Sequence, residues 1–275
     1  MKFCIKIIFV LCILSLGCKE STKENVEETK NYAIYENDSY TIKGVMNHNS
    51  NYFTEGLFFD DGMLYESMGS PDELPFTNSQ VGILDTNSGN LFKTLPLDNS
   101  KYFAEGSSII GDNLYLLTYK NQLCFVINKS NFQIIDSFYY DNKEGWGLTT
   151  DGNQLIMSDG TEKVTFIDAG NYTKRKELNV RDKENNKVLN INELEYCNGF
   201  IYANIFGTNT IIKIDTATGN SVAQYNFDGL FNLARNNNIN SMEMNGIAFN
   251  GNTNEFYLTG KFWPYIFRVQ LKPSL

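Results

Sequence analysis

The chain has little of what metal-centred or nucleic-acid-binding proteins use. It has one histidine, His48, among 275 residues, and its 32 acidic residues outnumber 23 basic ones, for a formal net charge of −9. Catalytic zinc usually takes about three protein ligands, often including histidine. Cys124 and Cys197 lie far apart without ligand spacing, and an acidic surface does not favour a nucleic-acid partner. We therefore expect no metal, no cofactor and no nucleic acid.

Helical periodicity and long apolar runs are also scarce. Outside the N-terminus, only an Asn-rich stretch near Asn236 to Ser241 suggests a helix. The apolar run Ile7 to Leu16 is too short to span a bilayer comfortably and is typical of a secretion signal. Its ending, Leu14-Ser15-Leu16-Gly17-Cys18, resembles a bacterial lipoprotein signal in which Cys18 becomes the lipidated N-terminus. An ordinary signal peptide or an uncleaved anchor are the alternatives.

These features divide the chain into three parts. Residues 1–18 are expected to be a lipoprotein signal peptide, and residues 19–31, which are almost entirely polar, a solvated tether. Residues 32–275 are expected to form one monomeric domain. Its location would be the bacterial cell envelope, periplasmic or facing the surface, with membrane contact through the lipid alone. Lys19, in place of the Asp that commonly retains lipoproteins in an inner membrane, favours an outer membrane where there are two.

A repeat that carries candidate functional residues occupies the rest of the chain. Five times an acidic or amide residue stands at the start of an expected strand, usually beside glycine. The runs are Phe53-Thr54-Glu55-Gly56-Leu57, Phe103-Ala104-Glu105-Gly106-Ser107, Glu144-Gly145-Trp146-Gly147-Leu148, Asn192-Glu193-Leu194-Glu195 and Asn245-Gly246-Ile247-Ala248. A period of about 40 to 50 residues is typical of propeller blades, each a four-stranded sheet.

Hairpin signals within each unit support this interpretation. Turns such as Asp60-Asp61-Gly62 and Asp151-Gly152-Asn153 separate alternating apolar strands. The fifth unit ends at Tyr265 to Leu271 and is one strand short. Tyr40 to Val45 is expected to supply that strand and close the ring, which removes open sheet edges. The sequence thus predicts an all-β, five-bladed propeller closed by an N-terminal strand, in which the five motifs meet at one end of the central channel.

An ordered set of motifs over about residues 40 to 271 carries a family resemblance. It comprises the five runs above together with Thr118-Tyr119-Lys120, Met157-Ser158-Asp159-Gly160, Ala203-Asn204-Ile205-Phe206 and Thr259-Gly260-Lys261-Phe262-Trp263-Pro264. In order and spacing they resemble the plant-type glutaminyl-peptide cyclotransferases, a five-bladed propeller family that also occurs in bacteria. The resemblance implies a metal-independent acyltransferase that converts the N-terminal glutamine of peptides or proteins to pyroglutamate and releases ammonia.

The same resemblance assigns roles to individual residues. Glu105 matches the family's catalytic glutamate and would carry a proton from the attacking amine to the leaving nitrogen. Lys261 and Asn192 would stabilise the developing oxyanion, and Glu55 would hold the substrate's amino terminus. An aromatic pocket wall is implied for Phe53, Phe103, Tyr119, Trp146 and Phe206. Tyr119 and Phe206 stand where the family often has Trp, and both keep an aromatic face while losing the indole donor and some area.

Two other function classes remain open at the level of sequence. A Ca²⁺-dependent propeller hydrolase or lyase would use Glu55, Glu105 and Glu193 as oxygen ligands. A non-catalytic propeller would present its loops to a partner at the cell envelope. We do not expect His48 to be a metal ligand; we expect it to be a loop residue near the pocket mouth.

Overall fold

The computed structural model describes residues 39–272, which form twenty strands and one helix. The strands make five antiparallel four-stranded sheets. Blade 1 is β2 (Thr54–Asp60), β3 (Met63–Met68), β4 (Gln80–Asp85) and β5 (Asn90–Pro96). Blade 2 is β6 (Ala104–Ile110), β7 (Asn113–Thr118), β8 (Leu123–Asn128) and β9 (Gln133–Tyr139). Blade 3 is β10 (Leu148–Thr150), β11 (Gln154–Ser158), β12 (Lys163–Asp168) and β13 (Lys174–Asn179).

Blades 4 and 5 complete the ring. Blade 4 is β14 (Ile191–Cys197), β15 (Phe200–Ile205), β16 (Thr210–Asp215) and β17 (Ser221–Asn226). Blade 5 is β18 (Met244–Asn250), β19 (Glu255–Gly260), β20 (Tyr265–Leu271) and, as its outermost strand, β1 (Tyr40–Asn47). Tyr40 pairs with Leu271 and Asn47 with Tyr265. The predicted five-bladed propeller and its closing N-terminal strand are therefore confirmed.

The first strand of each blade is buried and the fourth is largely solvent-exposed. In β2 every residue from Thr54 to Phe58 is buried, whereas β5 alternates between exposed and half-buried positions. Adjacent inner strands approach closely where the motifs carry glycine. A Cβ on Gly106 would lie 2.3 Å from the Leu148 nitrogen, and one on Gly147 would lie 2.3 Å from the Asn192 oxygen. Glycine in these motifs thus lets neighbouring blades meet at the channel.

The helix does not lie where the sequence suggested. It is α1 (Asp228–Asn237), which follows β17, and Asn238 already has extended backbone. Leu230, Leu233 and Ala234 are buried on one face, with the i, i+3, i+4 spacing of an amphipathic helix. The expectation near Asn236 to Ser241 was therefore wrong, because the apolar stripe precedes the Asn-rich stretch. Within residues 39–272, no helix combines the length and apolar character that crossing a membrane requires.

Candidate active site

The motif side chains converge where the inner strands begin. Glu55 and Glu105 are the second residues of β2 and β6, and Asn192 and Asn245 are the second residues of β14 and β18. Lys261 directly follows β19. All five side chains are buried. The ring therefore gathers residues that are far apart in sequence at one end of the channel.

An ion pair joins blade 5 to blade 1 at this end. Lys261 Nζ lies 3.0 Å from Glu55 Oε1 and 3.3 Å from Glu243 Oε1. Asn245 Nδ2 donates to Glu55 Oε2 at 2.7 Å. Burial lowers the pKa of Lys261, but the carboxylates of Glu55 and Glu243 raise it more, so the net shift is upward. Lys261 therefore stays cationic in a site that holds several acidic groups.

Glu105 has a different environment from Glu55. Its carboxyl group makes no hydrogen bond to any residue in the described range, although it is only 5% exposed. Burial and then the charge of Glu55 raise its pKa well above the ordinary value, against the opposing effect of Lys261. A raised pKa favours the protonated form of the carboxyl group, which a general acid requires.

Asn192 presents a second uncommitted group to the same region. Its side chain is 3% exposed, and its amide makes no hydrogen bond within residues 39–272. Its backbone carbonyl is held instead by the Ser158 hydroxyl, which donates to it at 2.6 Å. The side-chain amide is thus available to a ligand while its backbone is fixed.

The five expected wall residues do come together as aromatic neighbours. Phe53 and Phe103 lie 6.2 Å apart between ring centroids, Phe103 and Tyr119 lie 5.8 Å apart, and Trp146 and Phe206 lie 5.5 Å apart. Lys261 Nζ lies 4.3 Å from the Phe53 centroid and 5.5 Å from that of Phe206. Lys261 Nζ thus lies between two groups of rings, Phe53–Phe103–Tyr119 and Trp146–Phe206, and contacts one ring of each. We call these five rings the aromatic cup.

Three neighbouring residues were not identified from the sequence. Glu144 accepts a hydrogen bond from the Trp146 indole nitrogen at 3.0 Å, and Phe262 stands 5.4 Å from Phe53. Both residues lie in motifs that the sequence analysis names, next to Trp146 and Lys261. That neighbourhood in sequence could have identified them. Glu243 had no such signal, because its contact with Lys261 depends on how the chain folds.

Two further carboxyl groups lie deeper along the same channel. Glu193 belongs to blade 4, but its Oε1 accepts a hydrogen bond at 3.2 Å from the backbone nitrogen of Leu57 in blade 1, across the axis. Glu195 accepts from the Phe249 backbone nitrogen at 2.8 Å and from the Thr149 hydroxyl at 3.5 Å. Burial raises the pKa of Glu195 to about 8 and that of Glu193 well above the ordinary value. These side chains bind different blades to one another.

The carboxyl groups of this site are not arranged to share a Ca²⁺ ion. Glu55 is bound to Lys261 and Asn245, and Glu193 to a backbone amide. Over residues 39–272, no three His, Cys, Asp or Glu side chains are grouped as metal ligands. His48 is not at the pocket mouth as expected. It lies in the interior, 5% exposed, beside the carboxylate of Glu66.

Comparisons with known proteins agree with the geometry. The family model described as glutamine cyclotransferase matches residues 10–271. A glutaminyl-peptide cyclotransferase from Arabidopsis thaliana is 28% identical over 234 residues, which cover 82% of this chain and 69% of that protein. The crystal structure of Myxococcus xanthus glutaminyl cyclase matches with a TM-score of 0.77 and 31% identity, over 86% of this chain and 97% of that one.

Proposed function

The chain belongs to the glutamine cyclotransferase family, and on that premise we propose how its pocket converts an N-terminal glutamine to pyroglutamate with release of ammonia. The observation that carries the proposal is the convergence at one channel end of an unpartnered buried carboxyl group, Glu105, with Lys261, Asn192 and an aromatic cup. A proton carrier, a cation and an amide donor are the groups that an intramolecular acyl transfer requires.

The reaction begins with the substrate's own amine. An α-amino group has a pKa near 7.7 to 8.0, so a useful fraction is neutral and nucleophilic at neutral pH. Its nitrogen attacks the side-chain amide carbon, a C–N bond forms, and the carbonyl π electrons move to oxygen. The harder step is expulsion of ammonia, because the amide nitrogen must gain a proton before its C–N bond breaks.

Glu105 is proposed to move that proton. The attacking nitrogen loses one proton and the departing nitrogen gains one, so a single carboxyl group can serve both in turn and end as it began. The raised pKa of Glu105, caused first by burial and then by Glu55, suits this exchange near neutrality. We assign Glu105 as the catalytic acid and base.

Lys261 and Asn192 are proposed to stabilise the oxyanion of the tetrahedral intermediate. Lys261 remains charged, and the Asn192 amide is uncommitted, so both can donate to an oxygen that gains charge. Glu55 is proposed to bind the substrate's amino terminus. Its present contacts with Lys261 and Asn245 add a second task, which is to hold that lysine in place.

The aromatic cup is proposed to fold the flexible glutaminyl chain. Phe53, Phe103, Tyr119, Trp146 and Phe206 present flat apolar faces around Lys261. Holding the amine close to the amide carbon removes rotational freedom before the reaction, and this proximity effect can contribute several kcal/mol, up to about 7–11. Peptides and proteins that begin with glutamine are the substrates that such an open-ended cup accepts.

The test is release of ammonia by the purified protein from several peptides that begin with glutamine, with the matching loss of peptide mass. Activity that survives EDTA and disappears in Glu105→Gln is the expected result. Loss of activity in EDTA would instead favour a Ca²⁺-dependent enzyme. A folded protein that binds these peptides without releasing ammonia would indicate a non-catalytic binding propeller.

We also propose that the domain is a monomeric lipoprotein anchored through Cys18 in a bacterial envelope. The apolar run that ends in Leu16-Gly17-Cys18 supports this, while residues 1–38 lie outside the described range. Metabolic labelling with a fatty acid should mark the wild type and the Cys124→Ser control but not Cys18→Ser. Fractionation then tests the periplasmic or surface location, and sedimentation of the domain tests the monomer.

A further inference from the structure

The chain's one histidine lies at the joint where the ring closes. His48 follows β1 in blade 5, and the chain then runs through Tyr52 into β2 of blade 1. The backbone nitrogen of His48 donates to the Pro264 oxygen at 3.0 Å, and that of Phe262 donates to the Tyr52 oxygen at 2.8 Å. The segment after β1 is thus bound directly to the loop that carries Lys261.

Both ring nitrogens of His48 face oxygen acceptors. Nδ1 lies 2.7 Å from the Trp263 carbonyl oxygen, and Nε2 lies 3.0 Å and 3.2 Å from the two carboxyl oxygens of Glu66. The Thr54 hydroxyl donates to Glu66 Oε1 at 2.7 Å. A neutral imidazole carries one N–H, so it cannot donate to both acceptors, whereas an imidazolium can. The side chains of His48 and Glu66 are both fully buried.

The position of this pair connects it with the pocket. Thr54 stands between Phe53 and Glu55, and Trp263 stands two residues after Lys261. The pair therefore fastens the start of β2 to the loop after β19. The contact between Glu55 and Lys261 spans the same joint at 3.0 Å.

We propose that His48 and Glu66 form a buried ion pair that positions the two sides of the pocket across this joint. The pocket keeps its geometry only while His48 holds both ring protons. The inference rests on the proposed function, because its consequence is the placement of Glu55 and Lys261. His48 and Glu66 are positioning residues, since neither touches the reacting atoms.

The charges around the ring agree with this reading. Glu66 on β3 and Tyr52, whose ring lies edge-on at 5.7 Å, are the titratable groups that the described elements bring against His48. Thr54, Thr259 and the Trp263 carbonyl are uncharged. Burial lowers the pKa of His48, but the charge of Glu66 and its hydrogen bond raise it more, and the net shift is upward. Because the folded pKa exceeds the unfolded one, the stabilisation is complete below about pH 6.5 and is lost as pH rises through the folded pKa.

The first experiment observes the ring itself. Histidine labelled with ¹⁵N should give one imidazole spin system, which should show the imidazolium pattern at both nitrogens at pH 7. In Glu66→Gln the ring should titrate at or below about pH 6.5, because burial is then unopposed by a carboxylate. A wild-type ring that is neutral at pH 7 would overturn the proposal.

The second experiment measures kcat and KM against pH for a glutamine-initiated peptide. In Glu66→Gln, KM should rise and the alkaline limb should move to lower pH. Glu255→Gln is the matched control, since it removes one charged partner of Arg268 at the other end of blade 5 and should leave the limb in place. If the two variants behave alike, His48 has no positioning role.

Two outcomes separate this inference from the proposed function. A wild type that releases no ammonia would refute the function, while the ¹⁵N signal would still report the charge of His48. If Glu66→Gln fails to fold, the wild type alone provides the test. The midpoint of its His48 titration must then coincide with a change in the alkaline limb of its pH–activity profile. An active wild type without such a change would overturn the positioning role.

Discussion

At the mouth of the channel, the carboxyl groups of Glu55 and Glu105 lie near a lysine and an aromatic cup, whereas deeper along it those of Glu193 and Glu195 contact the backbone of other blades. Burial is the largest cause of a raised pKa in all four. The four carboxyl groups differ in the groups that they contact. Glu193 and Glu195 accept hydrogen bonds from backbone nitrogens of Leu57 and Phe249.

The comparison teaches that residue type and burial do not by themselves indicate catalysis in this fold. A carboxyl group that accepts hydrogen bonds from the backbone of another blade holds the two blades together. Giving up these hydrogen bonds for a substrate would lower the stability of the fold. Glu105, with no hydrogen-bond partner in the described range, can exchange protons with a substrate. Glu193 Oε2 is also buried without a partner among the described residues, but its Oε1 is held by the Leu57 nitrogen, whereas neither oxygen of Glu105 is held. The distinction between structural and catalytic glutamates therefore lies in whether the carboxyl group is anchored, and four substitutions test it.

The largest expected effect comes from removing the uncommitted carboxyl group. Glu105→Gln should lower kcat by roughly 10²- to 10⁴-fold, the usual contribution of a positioned acid and base. Glu193→Gln makes the same chemical change deeper in the channel and should leave kcat nearly unaltered. Steady-state ammonia release from both variants gives the comparison. Equal losses in kcat would remove the distinction between the two ends.

Lys261→Met should lower both activity and stability. The Glu55 carboxylate would remain buried without its cation, and breaking a buried ion pair typically costs about 3–5 kcal/mol. Loss of an oxyanion donor should also reduce kcat by about 10²- to 10³-fold. Urea unfolding and kinetics measure the two effects. Adding Glu55→Gln should restore stability but not activity, and recovery of both would show that Lys261 is structural.

Glu195→Gln should change the pH dependence of stability. The folded pKa of Glu195 is about 8, against an ordinary value of 4.5, so between these values the folded state binds the proton and the unfolded state does not. Stability should therefore fall as pH rises through this window. The amide cannot ionise, so the variant should lose less stability between pH 5 and pH 8. Parallel unfolding curves at both pH values would contradict the assignment.

The smallest expected effect concerns the cup. Phe206→Trp should lower KM by a few-fold with kcat unchanged, because an indole presents a larger apolar face than a phenyl ring to the bound glutaminyl chain. Phe206 lies 5.5 Å from Lys261 Nζ and is 40% exposed. Phe92→Trp, on the exposed strand β5, is the control. An unchanged KM would mean that this side of the cup does not contact the substrate.

Much of the scaffold could be predicted because propeller strands are locally encoded. Turns such as Asp60-Asp61-Gly62 fix hairpins over a few residues, and the expected strand Tyr265 to Leu271 coincides with β20. The placement of Glu55 and Glu105 also follows from strand position, since equivalent points of inner strands share a depth in the channel. Where local pattern and fold agree, the sequence is sufficient.

The unpredicted contacts are long-range ones. Asn245 binds Glu55 across 190 residues of sequence, and His48 binds the Trp263 carbonyl across 215. Both depend on how blade 5 meets blade 1 once the ring has closed, and no local pattern encodes that register. Glu243 belongs to the same class. The catalytic assignments themselves remain predictions until the kinetic tests are made.

The side chain of Glu193 crosses the axis below Glu55 and Glu105, where its Oε1 accepts a hydrogen bond from the Leu57 nitrogen at 3.2 Å. We expect this crossing to close the channel to a peptide, so that the peptide enters and both products leave through the same aromatic rim. Ammonia is small enough to pass a bound peptide, whereas the pyroglutamyl end must withdraw before another substrate can be seated. Release of the product peptide through that rim, rather than the chemical step, would then limit turnover for long peptides that dissociate slowly.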